Sequence, residues 1–290
     1  MTDDFISRVR RFNRTVTSEV GALDTSFLGR GRPLGAARVL NAVGQGRADV
    51  ADIRAYLGLD SGLMSRLLRG LEDEGLIETV PRADDARRRM ARLTAAGERE
   101  FRAYEMLSDT QAEAILGRHP RPETLIAAMD IVAVALGRER IVLEEMHPSA
   151  DAARYCLGEY YAELARRFAH GFDVGLSRDP DAEDMVRPRG TFLVAMLDGL
   201  PLGCVGLKGG CAGAEVKRLW VASSARGFGL AKRLMTAVED AARELAIRRL
   251  RLDTNSALPE AVQLYRRTGW TEIDRFNDDP YPDAFFEKRL

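Results

Sequence analysis

Residues 215–235, EVKRLWVASSARGFGLAKRLM, constrain the fold more than any other stretch of this chain. An apolar run typical of a strand leads into a bend of small residues, and a helical pattern begins inside that bend. Gly227 and Gly229 let backbone amides approach an anion, and the helix N-terminus adds free N–H groups and a positive dipole end. The order predicts a strand, a phosphate-binding bend and a helix. The glycine spacing differs from a dinucleotide fingerprint, and no Gly-Lys-Ser or Gly-Lys-Thr of a nucleotide P-loop follows.

Length and composition indicate two domains of ordinary size. A chain of 290 residues exceeds the usual size of one hydrophobic core. Its 43 basic and 44 acidic side chains nearly cancel, so a nucleic-acid or membrane surface would have to be local. The start MTDDFISRV lacks the pattern of a signal peptide, and the apolar stretch around Asp130 is too short to span a membrane. We therefore expect a cytoplasmic protein without a membrane partner.

Cys156, Cys204 and Cys211 show no metal-ligand spacing, and we expect reduced, buried thiols and no metal.

The sequence pattern changes near Arg138. Residues 1–138 are predicted to be helical with one short hairpin, whereas residues 139–290 alternate strands and helices. The predicted fold class is a two-domain α+β chain with its junction near Arg138.

The first domain contains the spacing of a helix-turn-helix. One helix ends at Gly58, Asp60 caps the next, and Leu63, Leu67 and Leu71 lie on one face of that second helix. Its opposite face and the following hairpin tip carry short donors and arginines, which suit a major groove and phosphates. The candidate DNA contacts are Ser61, Ser65, Arg66, Arg69, Arg82, Arg87 and Arg88.

The stretches SRLLRGLEDEGLI and DDARRRMARLTAAG, taken in order, resemble MarR-type winged-helix regulators over about the first 138 residues. The resemblance implies a mostly helical winged helix-turn-helix domain, a palindromic double-stranded DNA target and a cleft for small aromatic ligands. It also implies a homodimer whose terminal helices bury Phe5, Val9 and Phe12. Arginine-rich turns are common as solvated surface, and winged helices also serve as protein-contact modules, so that alternative stays open.

The second domain shows a full order of elements around the bend. A hairpin that turns at Asp198 and Gly199 precedes the strand, and a further strand, Asn255, a helix and the run LYRRTGW follow. Residues 226–231, RGFGLA, match the loop R-x-x-G-x-[G/A], and residues 139–290 resemble GNAT acetyltransferases. The resemblance implies an α/β fold with a mixed, splayed central sheet, and acetyl-CoA as the acyl donor.

By this resemblance, the strand before the bend lies along the pantetheine and the bend cradles the pyrophosphate. The Val221 amide would polarise the thioester carbonyl. The implied cofactor-binding residues are Leu219, Trp220, Val221, Arg226, Gly227, Phe228, Gly229, Leu230, Ala231 and Asn255.

Acyl transfer from a thioester to an amine needs a base, an oxyanion donor and an acid. Glu215 on the central strand is the predicted base, directly or through a water, and Tyr265 is the predicted acid. The structural alternatives are an ion pair of Glu215 with Lys217 or Arg218 and simple core packing of Tyr265. No cysteine is needed as a nucleophile, and Cys204 and Cys211 are expected to pack within the sheet.

Two functions are consistent with these features. The first is an N-acetyltransferase acting on a small-molecule or peptide primary amine, fused to a DNA-binding regulatory module. The second is a MarR-type regulator whose other domain only senses acetyl-CoA. Glu215 and Tyr265, together with the intact bend, favour the enzyme. An aromatic or acidic acceptor would pair with Arg166 or Arg167, whereas a cationic acceptor is favoured by four acids, Asp274, Asp278, Asp279 and Asp283.

Overall fold

The computed structural model describes residues 3–82, 84–85, 87–176, 182–209 and 213–290. The chain divides into two units, Met1–Pro122 and Glu123–Leu290. The helix that precedes Arg138 therefore groups with the second unit, and the domain junction near Arg138 stays a prediction.

The first unit is helical except for one antiparallel hairpin. Its elements are α1 (Asp3–Glu19), α2 (Leu34–Gly44), α3 (Val50–Leu57), α4 (Ser61–Asp73), β1 (Ile77–Pro81), β2 (Arg89–Leu93) and α5 (Ala95–Leu116). The predicted stop and cap are confirmed: Gly58 ends α3 with φ 64°, and Asp60 accepts a hydrogen bond from the Leu63 N–H. Thr94 caps α5, where its side chain accepts a hydrogen bond from the Gly97 N–H.

The core of the first unit corrects one sequence prediction. The buried face of α4 consists of Met64, Leu68 and Leu71, and the expected Leu63 and Leu67 flank it, half-buried. The contact face is therefore rotated by about one residue, and Met64, Leu68 and Leu71 pack in one core with residues of α2.

The apolar face of α1 is exposed within the single chain. Phe5, Val9, Phe12 and Val16 keep between 38% and 59% of their surface accessible. The homodimer that would cover this face stays a prediction.

The second unit is a seven-stranded sheet with helices on both faces. Its elements are α6 (Pro122–Gly137), β3 (Val142–Glu145), α7 (Asp151–Arg167), β4 (Thr191–Leu197), β5 (Leu200–Lys208), β6 (Ala214–Val221), α8 (Leu230–Glu244), β7 (Arg249–Thr254), α9 (Pro259–Arg267), β8 (Thr271–Ile273) and β9 (Ala284–Arg289). The strand order is β3-β4-β5-β6-β7-β9-β8. The predicted hairpin turn is confirmed by positive φ angles at Asp198 and Gly199.

One junction of this sheet differs from the others. β6 and β7 run parallel and pair at Ala214↔Leu250 and Glu215↔Arg251, whereas the other neighbouring strands pair antiparallel. For the rest of β6 no ladder joins it to β7 in the part of the chain that the structure describes. The mixed, splayed sheet expected from the sequence is confirmed.

The two faces of the sheet bury separate cores because side chains alternate along each strand. Leu193 and Ala195 of β4 pack in the core that includes α8, whereas Val194 packs with Cys156 of α7 and Cys204 of β5. Cys156 and Cys204 are buried, as expected. Cys211 lies outside the described residues.

Among the described helices, none is both long and apolar enough to cross a membrane. Within the same residues, no group of three or more His, Cys, Asp or Glu side chains is arranged to hold a metal ion.

Candidate active site

The bend between β6 and α8 has the geometry of an anion cradle. Gly227 and Gly229 have φ angles of 83° and 79°, which favour glycine. A Cβ placed on either residue would meet no described atom within 4 Å, so the space beside both is open. Gly229 also caps α8, and the first N–H groups of a helix have no partners within it. The bend can therefore present several amides to one anion.

A cavity of about 370 Å³ lies beside this bend. Most of the predicted cofactor-binding residues line it: Leu219, Trp220, Val221, Arg226, Gly227, Gly229, Leu230 and Ala231. Phe228 is exposed and Asn255 lines a neighbouring cavity. Lys232, which sequence reasoning missed, adds a positive charge to the lining.

The open edge of β6 leads into this cavity. The Ala222 N–H donates to Leu202 O of β5, and successive N–H groups along a strand point to opposite edges. The Val221 N–H is therefore directed away from β5, toward the gap between β6 and β7. A ligand in the gap can pair with the backbone of Leu219–Val221 in the manner of an added strand.

Arg226 has a second role in the bend. Its Nε donates to Val221 O at 3.0 Å, and its Nη2 lies 2.5 Å from Glu163 Oε2 of α7. The guanidinium thus holds the bend against the end of β6 and against α7.

A smaller cavity of about 80 Å³ adjoins the first and shares Tyr160, Leu164 and Leu219 with it. Tyr265 lines the smaller cavity and is almost fully buried. Burial raises the pKa of Tyr265, and the charge of Asp253 acts in the same direction. The phenol is protonated at neutral pH, as an ordinary tyrosine is, and its hydroxyl can serve as a hydrogen-bond and proton donor to an anion.

Glu215 lies elsewhere. It sits on the paired end of β6 opposite Arg251, and its Oε2 is 3.1 Å from Lys217 Nζ. It is absent from the described lining of both cavities. The ion pair considered as its structural alternative is present, and a base role for Glu215 stays a prediction.

Asp253, unlike Glu215, lines the smaller cavity, and sequence reasoning missed it. Its Oδ2 lies 2.7 Å from Lys217 Nζ and accepts a hydrogen bond from Asn277 Nδ2 at 2.5 Å. Burial alone would lower the pKa of Lys217, but the charges of Asp253 and Glu215 outweigh it and raise the pKa. Lys217 therefore stays charged beside the cavity.

Asn255 shapes the smaller cavity through its amide. Its Nδ2 donates to Tyr281 O at 2.6 Å and its Oδ1 accepts from the Ala257 N–H at 2.8 Å. Both bonds fix loops, so the predicted cofactor contact of Asn255 stays a prediction.

The four acids expected to favour a cationic acceptor do not act together. Asp279 lines the smaller cavity, Asp274 and Asp278 are exposed, and Asp283 accepts from the Ser256 N–H and Oγ. Lys217 and Arg218 also line this cavity. The expected acidic field is therefore offset by two cations.

The candidate DNA surface of the first unit is exposed on α4, where Ser61, Ser65, Arg66 and Arg69 face solvent. The hairpin arginines differ from one another. Arg87 is exposed, Arg82 lies 2.6 Å from Asp84, and Arg88 lies 2.6 Å from the buried Asp49. Two of the three predicted hairpin contacts are thus engaged within the chain.

Comparison with known proteins finds a family match for each of the two units. Residues 157–270 match the model of the acetyltransferase (GNAT) family, and residues 30–88 match that of the MarR family. An IAA acetyltransferase of Azospirillum brasilense is 35% identical over 118 residues, which cover 38% of this chain and 74% of that protein. This chain belongs to the GNAT acetyltransferase family. Its first unit carries a MarR-family region, so both resemblances are confirmed.

Two further matches concern the acetyltransferase part. An uncharacterized N-acetyltransferase of Schizosaccharomyces pombe is 32% identical over 102 residues, which cover 34% of this chain and 63% of that protein. The solved structure of a GNAT-family acetyltransferase from Staphylococcus aureus is 20% identical, covers 52% of this chain and 99% of that chain, and has a TM-score of 0.45.

Proposed function

We propose that this chain is an acetyl-CoA-dependent N-acetyltransferase that acts on a primary amine and is fused to a DNA-binding MarR-type module. One observation carries the enzymatic part. The open edge of β6 lies between the cavity at the bend and the cavity that Tyr265 lines, and Leu219 lines both cavities. A ligand with a phosphate at one end and a reactive group at the other fits such a path.

The residues present suit the cofactor. The amides of Gly227–Ala231 and the charge of Lys232 would hold the pyrophosphate, and the β6 edge at Leu219–Val221 would hold the pantetheine. Acetyl-CoA supplies the thioester whose acyl group is transferred. The Val221 N–H, directed to the open edge, would stabilise negative charge on the carbonyl oxygen.

Protons are moved by side chains of the second unit. Tyr265, whose phenol is protonated at neutral pH, would protonate the leaving thiolate. Glu215 would accept the proton of the attacking amine through water, since it does not line the cavity. The bound amine would lie in the smaller cavity between Tyr160 and Tyr281.

The alternative, a regulator whose second unit only senses acetyl-CoA, has one observation in its favour. Glu215 is engaged by Lys217 outside the cavity. An acceptor screen separates the two functions: CoA thiol release is followed with amino acids, polyamines, aminoglycosides and lysine peptides. Amine-dependent release that falls in Tyr265→Phe supports the enzyme. Tight CoA binding without turnover on any amine supports the sensor.

The DNA-binding part of the proposal rests on α4. Its exposed face would enter a major groove of a palindromic duplex, and Arg87 would meet a phosphate. A homodimer closed by the apolar face of α1 would place two such helices on the two half-sites. The proposed location is the cytoplasm. Selection from random duplexes tests this: recovery of a palindrome supports it, and recovery of none at low salt contradicts it. Light scattering tests the dimer.

A further inference from the structure

One carboxylate outside the sheet contacts both surfaces of the candidate cofactor cavity. Glu163 lies on α7, and its side chain is 14% exposed. Its Oε2 accepts a hydrogen bond from Trp220 Nε1 at 3.1 Å and another from Arg226 Nη2 at 2.5 Å. Trp220 belongs to the open stretch of β6 and Arg226 to the bend. Glu163 therefore joins the strand and the bend through a single oxygen.

The contact with Glu163 sets the orientation of Arg226. A guanidinium is planar and carries five N–H donors. Two bonds, from Nε to Val221 O and from Nη2 to Glu163, fix its plane against the bend. The side chain nevertheless lines the cavity and is 43% exposed. A guanidinium fixed in this way can meet a phosphate with little further loss of side-chain freedom.

The same carboxylate sets the orientation of Trp220. The indole is buried, and a buried indole N–H requires an acceptor. Glu163 supplies that acceptor, and Trp220 lines the cavity together with Leu219 and Val221. Without this acceptor, the buried indole N–H would be left unsatisfied, which favours a turn of the side chain away from its present position.

The negative charge of Glu163 is balanced on its other side. Arg167 Nη1 lies 3.2 Å from Glu163 Oε1, and Arg167 also bonds Glu260 and donates to Ala257 O at 2.8 Å. Glu260 lies at the start of α9 and lines the cavity. The alternating series from Arg226 to Glu260 thus connects the bend with α9, and Glu163 is not left as an unpaired negative charge facing a phosphate.

We propose that Glu163 is a positioning residue for the cofactor. It holds Arg226 and Trp220 in the arrangement that receives the pyrophosphate and the pantetheine, and it acts through them. This inference rests on the proposed acetyl-CoA-dependent function, because it assigns a role in binding the same cofactor.

The test is a double-mutant cycle on CoA affinity, measured by calorimetry with the full chain. We expect Glu163→Gln to weaken CoA binding by about tenfold, the size of one charge-assisted hydrogen bond. In the Arg226→Gln background, Glu163→Gln should alter CoA affinity by less than about twofold, because Glu163 can no longer act through the guanidinium of Arg226. The control is Glu159→Gln, one turn earlier on α7, half-buried and absent from the described lining of the cofactor cavity, which should leave affinity unchanged.

Kinetics provide a readout that a merely structural role would not give. We expect Glu163→Gln to raise the KM for acetyl-CoA, with kcat and the acceptor KM unchanged. Glu163→Asp keeps the charge but shortens the reach, and it should lose affinity as the Gln variant does. Wild-type affinity in either Glu163 variant, or equal losses in the wild-type and Arg226→Gln backgrounds, overturns the inference alone. A wild-type chain that binds no CoA overturns the proposed function and the inference together.

Discussion

Lys217 Nζ lies 2.7 Å from Asp253 Oδ2, across the gap that opens where β6 and β7 stop pairing. The two side chains are 9% and 10% exposed, so the charges depend on each other more than on water. This ion pair joins the two strands beside the smaller cavity, at the level where backbone hydrogen bonds have ended.

The first prediction concerns the stability of this pair. Asp253→Asn should lower the free energy of unfolding by about 3 kcal/mol, because it leaves a buried cation without its main partner. The double variant Lys217→Met/Asp253→Leu should recover most of that loss, since it removes both charges. Urea unfolding of both variants measures the difference. Equal stability of the single variant and the wild type would contradict the prediction.

The second prediction concerns the proton donor. Tyr265→Phe should lower kcat by about a hundredfold, the lower end of general acid catalysis, with little change in CoA affinity. The ring and its packing are kept and only the hydroxyl is lost. Tyr155→Phe on the exposed surface of α7 is the control and should leave kcat unchanged. A Tyr265→Phe enzyme with the wild-type kcat on a validated acceptor would remove Tyr265 from the mechanism.

The third prediction concerns the cradle. Gly229→Val should weaken CoA binding at least about tenfold, because a side chain would fill the open space beside the bend and the left-handed backbone would be strained. Gly46→Val is the matched control, with φ 88° and open space around it in the first unit. It carries the same strain without the cavity, so CoA affinity should not change. Calorimetric titration of both variants decides, and equal affinities would contradict the cradle.

The fourth prediction compares the roles of two neighbouring arginines at the tip of the β1–β2 hairpin. Arg87→Ala should weaken binding to any duplex and reduce the salt dependence by about one phosphate contact, with no change in stability. Arg88→Ala should also destabilise the first unit, because its bond to Asp49 lowers the pKa of that carboxylate and supports the cap of α3. Gel shifts over a salt series and thermal unfolding test both. Equal stability of the two variants would exclude the anchoring role of Arg88.

The fifth prediction concerns pH. Hydrogen bonds from Arg30, and then from Arg32, lower the pKa of the nearly buried Glu100. A lowered carboxylate pKa gives stability that is complete above the unfolded value of about 4.3 and is lost as pH falls through the folded value. Glu100→Gln should therefore cost about 2 kcal/mol at pH 7 and progressively less below pH 4.

Glu98→Gln is the control for this pH dependence. Glu98 is exposed and pairs with Arg102 one helical turn later, at 3.4 Å. Its replacement should change unfolding little at either pH. A difference between wild type and Glu100→Gln that stays constant from pH 7 to pH 3 would show that Glu100 contributes by packing alone.

Local signals in the sequence were sufficient for most of the fold. The apolar run before the bend, the left-handed glycines and the turn at Asp198 each depend on neighbours within a few residues, and each element appears where predicted. The predicted buried face of α4 is wrong by about one residue. The residues of α2 that pack against this face are distant in sequence, so short-range patterns do not specify it.

The side chains of the candidate site were harder to predict for the same reason. Asp253 reaches the smaller cavity because β7 lies parallel to β6 in one particular register, which short-range patterns do not specify. Glu215 was placed on the correct strand, but its distance from the gap follows from where the two strands separate. Arg88 bonds Asp49, which lies 39 residues away in sequence, so the sequence of the hairpin does not predict that bond.

The incomplete ladder of β6 has a consequence for how long the protein survives. A strand whose backbone groups face a gap is paired only when something fills that gap. On the proposed function, CoA adds that missing row of bonds and stabilises the folded chain by about 2.7 kcal/mol at a hundred times its Kd. Resistance to heat and to proteolysis would then rise with the concentration of the bound cofactor, because only the folded chain binds it.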